Sequence, residues 1–378
     1  MNRHTCVAAW GMTLPAAAAL VFLGAPRGSL GQSTTDGAAP AARLDAAARS
    51  RIIDGVLEKL NTSYVFPETA KKMETALRER AAKKEYDAIT DGGAFARTLT
   101  EHLQAVSKDG HLRVFYSATP HLLPTAGTAP RTPDAEEQAR RRRIGAMTNF
   151  GFEKVERLGG NIGYLEVRGF AGPEVAGEKA AAAMTFLADT DALIIDLRRN
   201  GGGEPAMVAL LCSYLFGPEP VHLNDLYFRP TNTTEQFFTL RDVPGKRYGL
   251  DKPVYVLTSK RTFSGAEEFT YNLKNLKRAT IVGETTGGGA HPGGVEPLNE
   301  HFAVFIPSGR AINPITKTNW EGTGVAPDVA VPADQALKTA YIAALKKALD
   351  KTTDENLARQ LRETIETQQK ELEALKKG

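Results

Sequence analysis

KPVYVLTSKRTFSGAEEFTYNLKNL, residues 252–276, is the stretch that decides the fold. Pro253 to Leu257 is a short apolar run that reads as a buried strand. A polar turn follows, and from Ser264 onward Ala266, Phe269, Leu273 and Leu276 recur at helical spacing. Ser264 therefore stands at a helix start just beyond a strand end. Free N–H groups and the positive end of the helix dipole favour negative charge there. Such a place suits a nucleophile and an oxyanion, and it equally suits a plain serine N-cap.

The same strand-to-helix grammar repeats on both sides. Upstream, Ala192 to Leu197 (ALIIDL) reads as a buried strand that ends in RRNGGGEP, Arg198 to Pro205, before a helix running through about Phe216. Before that, Phe150–Arg157 and Ile162–Val167 read as strands paired through Gly159-Gly160, with a helix over Glu174–Leu187. Downstream come a strand at Thr280–Gly283, the loop ETTGGGAHPGG and a hairpin around Phe302–Ile306. WEGTGVAPD, Trp320 to Asp328, closes the core. Alternating strands and helices predict an α/β fold. Residues 221–250 carry no clean period, and they are expected to be irregular, with Tyr227, Phe237 and Phe238 covering the core.

Outside this core the periodicity is helical. Residues 46–106 give three stripes: Ile52, Ile53, Val56, Leu57 and Leu60; then Ala70, Met73, Leu77 and Ala81; then Phe95, Leu99, Leu103 and Val106. They predict a small helical bundle. SKDGHLRVFY, Ser107 to Tyr116, follows as a turn and a strand, with His111 at their junction. Residues 117–148 read as a connector with a helical piece, and its densest basic run, Arg140 to Arg143, reads as a solvated face. Residues 335–378 read as helices, with Leu357, Leu361, Ile365, Leu372 and Leu375 forming a stripe for the core or for a second subunit in a homo-oligomer.

The chain has 378 residues, 42% hydrophobic and 24% charged, with a formal net charge of +3. That fits a globular protein and gives no case for nucleic acid or a membrane surface as partner. Residues 1–31 have the pattern of a secretory signal peptide: Arg3 and His4, the apolar segment Cys6 to Ala25, and small residues Ser29 and Gly31. Pro15 within that segment argues against a stable membrane span. A secreted or periplasmic location is the expectation, with a flexible lead-in over 32–45. Cys212, within an apolar run, would then be the single remaining cysteine and is expected to be buried.

Three glycines at 201–203 permit positive φ and close backbone approach to a ligand. A phosphate loop would need a Lys-Ser/Thr pair that is missing here. N–H groups of this loop, together with that of Gly265, would instead suit an oxyanion hole beside Ser264. His111, His291 and His301 lack the short spacing of a metal-hydrolase motif, so neither metal nor cofactor is expected.

The order His111, LIIDLRRNGGG, TSKRTFSGAEEF, GETTGGG and WEGTGVAPD resembles the tail-specific, or C-terminal processing, protease family over most of residues 50–332. The resemblance implies a serine peptidase with a crotonase-like ββα spiral core at 149–334, a helical domain at 46–116 and Ser264 as nucleophile, with the N–H groups of Gly202 or Gly203 and of Gly265 forming the oxyanion hole. Two departures stand out. Gly287 to Gly289 occupy the loop where processing proteases carry a lysine base. The connector is also too short for their PDZ domain, since a domain needs at least ~50 residues. Both point to the branch of the tricorn protease core and the interphotoreceptor retinoid-binding protein modules, the latter also resembled by YVFPETAKKM, Tyr64 to Met73. In the tricorn-like branch a DGH-type histidine is the base and a glutamate near the last motif assists; these positions are His111 and Glu321 here. Gly110 replaces the serine that precedes that histidine. His291 is the alternative base or a substrate contact. The resemblance thus implies peptide or protein substrates and acyl-enzyme chemistry, with a non-catalytic site for a lipophilic, retinoid-like ligand as the alternative.

Overall fold

Asp45 accepts a hydrogen bond from the Ala48 N–H at 2.6 Å and so starts the first helix. The computed structural model describes residues 44–119 and 135–377, so the expected signal peptide and most of the lead-in lie outside the described residues. Helices α1 (Ala46–Ser63), α2 (Pro67–Ala82) and α3 (Gly92–Ser107) follow, with Pro67 opening α2 and Asp91 capping α3 on the Ala94 N–H. Lys108, in the left-handed region at φ 58°, ends α3 and turns the chain into β1 (Arg113–Tyr116). The apolar stripes read from the sequence meet here: Leu57, Leu60, Met73, Leu77, Phe95 and Leu99 are buried together. They share that core with Phe302, Val304 and Ile306, which lie far away in sequence.

The helical piece of the connector is α4 (Ala135–Met147). Next come β2 (Phe152–Leu158), β3 (Ile162–Val167), α5 (Pro173–Leu187), β4 (Ala192–Asp196) and α6 (Pro205–Ser213). Then follow β5 (His222–Phe228), β6 (Thr233–Phe238), β7 (Val254–Thr258), α7 (Gly265–Asn275) and β8 (Thr280–Gly283). The chain ends in β9 (Gly293–Pro297), β10 (Phe302–Pro307), β11 (Gly309–Ile312), β12 (Val329–Ala330), α8 (Ala336–Lys351) and α9 (Glu355–Leu375). The central sheet has the order β12-β8-β7-β4-β3-β2, parallel except for β2. Its middle strands β4 and β7 are buried along their whole length, which is why they read as unbroken apolar runs. Residues from α5, α6 and α7 pack on one face, and residues from α8 and α9 on the other. This is the mixed α/β core with helices before and after it that the sequence implied.

Two smaller antiparallel sheets flank the core, in the orders β1-β10-β9 and β11-β5-β6. The second corrects the expectation for residues 221–250, where β5 and β6 are strands. Thr233 to Phe238 is almost wholly exposed, so it has no buried face and no apolar alternation to read. On α9, Leu361 and Ile365 are buried with residues of α8, while Leu357 and Leu375 remain exposed.

The inner side of α7 carries polar groups into the core. Glu268 Oε1, Asn272 Nδ2 and both side-chain polar atoms of Asn224 are buried without a hydrogen-bond partner. Burial pushes the Glu268 carboxyl up to about 8 from 4.5, with the neighbouring Asn224 side chain acting the other way. A folded-state value above the unfolded one means that the stabilisation is full below about pH 4.5 and is lost as pH rises through 8. We therefore expect the melting temperature to fall between pH 6 and 9, and to fall less in Glu268→Gln. Parallel pH–melting curves for the two proteins would disprove this.

Candidate functional site

The central sheet delivers three loops to one end. The carboxyl ends of β4, β7 and β8 lead into 197–204, 259–264 and 284–292, the location where open parallel sheets bind ligands. Ser264 sits on the sharp turn from β7 into α7 with φ 54° and ψ −123°. An ordinary N-cap has extended backbone, and this is a region that glycine populates and other residues enter under strain. Its N–H donates to Glu267 Oε2 at 2.9 Å.

The glycine loop lies directly against this turn. A Cβ on Gly202 (φ 106°) would stand 2.7 Å from Ser264 Cβ and 2.8 Å from the Gly265 nitrogen. A Cβ on Gly203 (φ 140°) would stand 2.1 Å from the Phe170 carbonyl oxygen. Both glycines are thus required by conformation and by space. The Gly202 N–H is already committed, donating to Asn200 Oδ1 at 2.8 Å. The Gly203 and Gly265 backbones lie side by side, and a Cβ on Gly265 would stand 3.1 Å from the Gly203 nitrogen.

Glu267 ties the third loop to the Ser264 turn. Fully buried, it accepts hydrogen bonds from the N–H groups of Ser264, Gly288 and Gly289 and from the Thr286 hydroxyl. Burial pushes its carboxyl upward, and these four donors act against that. Trp320 closes the loop from outside, its indole N–H donating to the Gly289 carbonyl at 2.7 Å.

His111 reaches the site from the helical domain. Its ring lies on Phe263, the neighbour of Ser264, at a centroid distance of 4.6 Å, with Phe305 at 5.9 Å. Nδ1 is buried without a partner, and no hydrogen bond joins His111 to Ser264. Burial drives its pKa down to about 4; Asp109 opposes this, and His291 and Arg113 add to it. The imidazole is therefore neutral at physiological pH.

His291 is placed differently. Its Nδ1 is 2.8 Å from Asp109 Oδ2 and 3.4 Å from Glu321 Oε2, and the ring meets Phe66 edge-on at 5.3 Å. Tyr64 donates to the same Asp109 oxygen at 3.2 Å. Burial, then the nearby Asp109 charge, raises Glu321 to about 7, while His291 and the Ala290 N–H pull it down. Glu321 is therefore partnered with His291, with no hydrogen bond to His111. Asp109, His291 and Glu321 are also the described residues whose donor atoms, all within 4.8 Å of one another, lie close enough to hold a metal ion. The 2.8 Å contact is shorter than the about 3.3 Å between ligands of a tetrahedral zinc, and it fits a hydrogen bond.

Sequence reasoning picked out Ser264, His111, Glu321, His291 and the glycines, and the fold gathers these into one corner. It missed Asp109, Tyr64, Asn200 and Glu267. The first lies within the DGH turn and the last within SGAEE, so the motifs were visible while the roles were not.

Two family models match this sequence: peptidase family S41 over residues 161–331, and the N-terminal domain of peptidase S41 in eukaryotic IRBP over residues 44–145. Among solved structures, a candidate peptidase of Parabacteroides merdae is 18% identical with a TM-score of 0.54, covering 81% of this chain and 99% of that one. Mature CPAF complexed with lactacystin is 12% identical with a TM-score of 0.50, covering 80% and 98%. The tricorn protease, also 12% identical at 0.50, covers 80% of this chain, which matches 37% of its length. At these identities the likeness is one of fold.

Proposed function

Since the chain belongs to peptidase family S41, we propose that Ser264 is the nucleophile of a serine peptidase acting through an acyl-enzyme. The observation that carries this is the Ser264 backbone, held at φ 54° on a strand-to-helix turn and packed under the Gly202–Gly203 loop. A mere cap has no need of that strain, whereas an exposed nucleophile at a helix start does. In this mechanism Ser264 Oγ attacks the peptide carbonyl and the carbonyl oxygen becomes an oxyanion between the Gly203 and Gly265 N–H groups. His111, neutral at the outset, takes the hydroxyl proton and returns it to the leaving amine. General base help of this kind is worth roughly 10²–10⁴-fold. Water then hydrolyses the ester by the same route.

One observation favours a second assignment of the base. His291 has a carboxylate on Nδ1, the arrangement that stabilises an imidazolium, and His111 lacks one. Export of the protein is part of the proposal and is supported by the sequence pattern of residues 1–31. Among the described residues no helix is long and apolar enough to cross a membrane.

Fluorophosphonate labelling followed over pH tests both parts. A single adduct on the peptide containing Ser264 is expected. With His111 as base, the labelling rate should hold steady down to about pH 5, because burial places that imidazole at about 4. An adduct elsewhere, or none, sinks the nucleophile and leaves the ligand-binding alternative. A rate that falls already above pH 6 removes His111 from the role.

A further inference from the structure

One carboxylate connects everything that the helical domain brings to the site. Asp109 is 1% exposed, in the turn between α3 and β1. Its Oδ1 accepts the His111 backbone N–H at 3.0 Å, which fixes the start of β1 and the root of the His111 side chain. Its Oδ2 meets His291 Nδ1 at 2.8 Å and the Tyr64 hydroxyl at 3.2 Å. Tyr64 is itself buried, and burial together with the Asp109 charge keeps its phenol protonated as a donor. The His111 N–H, the Tyr64 hydroxyl and the His291 ring thus converge on this carboxylate from three separate segments of the chain.

We propose that Asp109 is the positioning residue of the site, orienting both histidines through one side chain and holding His291 with its proton on Nδ1. This rests on the peptidase assignment and adds residues to it. A carboxylate accepts and cannot donate, so Nδ1 carries hydrogen at the 2.8 Å contact, and in the neutral ring the lone pair is then on Nε2. Asp109 makes the shorter contact with this nitrogen, and Glu321, at 3.4 Å from the same Nδ1, is the flanking acid. The remaining titratable or charged groups that bear on this cluster are His111, Tyr64, Glu267 and Arg113.

Asp109→Asn keeps the shape. Its amide can still accept the His111 N–H, but it then turns an NH₂ toward His291 and Tyr64, where an acceptor is required. The expected result is a kcat loss of at least 100-fold with KM within threefold, together with a changed pH–rate profile. Tyr64→Phe, which removes one of the donors, should cost less than tenfold. The readout independent of activity is the ¹⁵N spectrum of the histidines in the inactive Ser264→Ala protein at pH 8. His291 should show the Nδ1–H tautomer, lost when Asp109→Asn is added. An Nε2–H tautomer in the Ser264→Ala protein, or a kcat within threefold in Asp109→Asn, overturns the proposal. Absence of turnover in the unaltered protein would instead defeat the peptidase assignment, while the tautomer measurement still decides the role of Asp109.

Discussion

Ser264→Ala should lower kcat by on the order of 10⁵–10⁶-fold and leave the fold standing. The substitution removes one oxygen atom. It keeps the Cβ that packs against Gly202, the N–H that donates to Glu267 and the backbone strain of the turn. The melting temperature should consequently drop by no more than about 4 °C, since removing the hydroxyl of a half-buried N-cap costs about 1 kcal/mol. Ser264→Gly gives the complementary result: equally inactive, but more stable, because glycine populates φ 54°, ψ −123° freely and strain at such a site costs about 1–3 kcal/mol. Activity assays on peptide mixtures together with thermal unfolding check both variants. Residual turnover of a few per cent in Ser264→Ala would show that another group attacks the substrate.

Glu267→Ala should have the opposite signature, losing stability and activity together. It strands three backbone N–H groups and the Thr286 hydroxyl in a buried site. An unsatisfied buried donor costs about 1–3 kcal/mol, and partial relaxation brings the total to about 3–5 kcal/mol. The same change uncouples the nucleophile turn from the loop that carries His291, so labelling of Ser264 should slow at least 100-fold. Glu267→Gln should be intermediate, because its amide keeps one acceptor and faces the remaining donors with an NH₂. Urea unfolding and labelling rates on the three proteins provide the measurement. A melting temperature within 2 °C of the parent in Glu267→Ala would mean that the loop holds itself without this carboxylate.

How far the sequence could be read depended on the range of each interaction. Parallel strands buried on both faces leave apolar runs such as ALIID in β4 and VYVLT in β7, and the helices between them leave stripes. Those signals are local, so the α/β core and its flanking helices were legible. β6 was not, because a strand exposed on nearly all sides has no buried face to mark it. The site divides in the same way. Ser264 and the glycines declare themselves through turn chemistry between neighbouring elements. The Asp109–His291 contact joins residues 182 positions apart, and no local pattern announces such a pair. Glu267 is similar: in sequence it is one of two adjacent acids on a helix, and only the fold shows that one gathers four donors while the other is left without a partner on Oε1.

The position of Phe302, Val304 and Ile306 inside the helical domain's core has a further consequence. That strand enters the bundle from the far side of the nucleophile in sequence, so the bundle is completed only by chain that is made after Ser264. During synthesis, the segment bearing Tyr64, Asp109 and His111 emerges first and must wait for its last apolar layer. Ser264 emerges before His291 and β10 are available to pair with what came earlier. The candidate site is therefore assembled from both sides of Ser264 in sequence, and a chain that still lacks β10 carries some of its residues without their alignment.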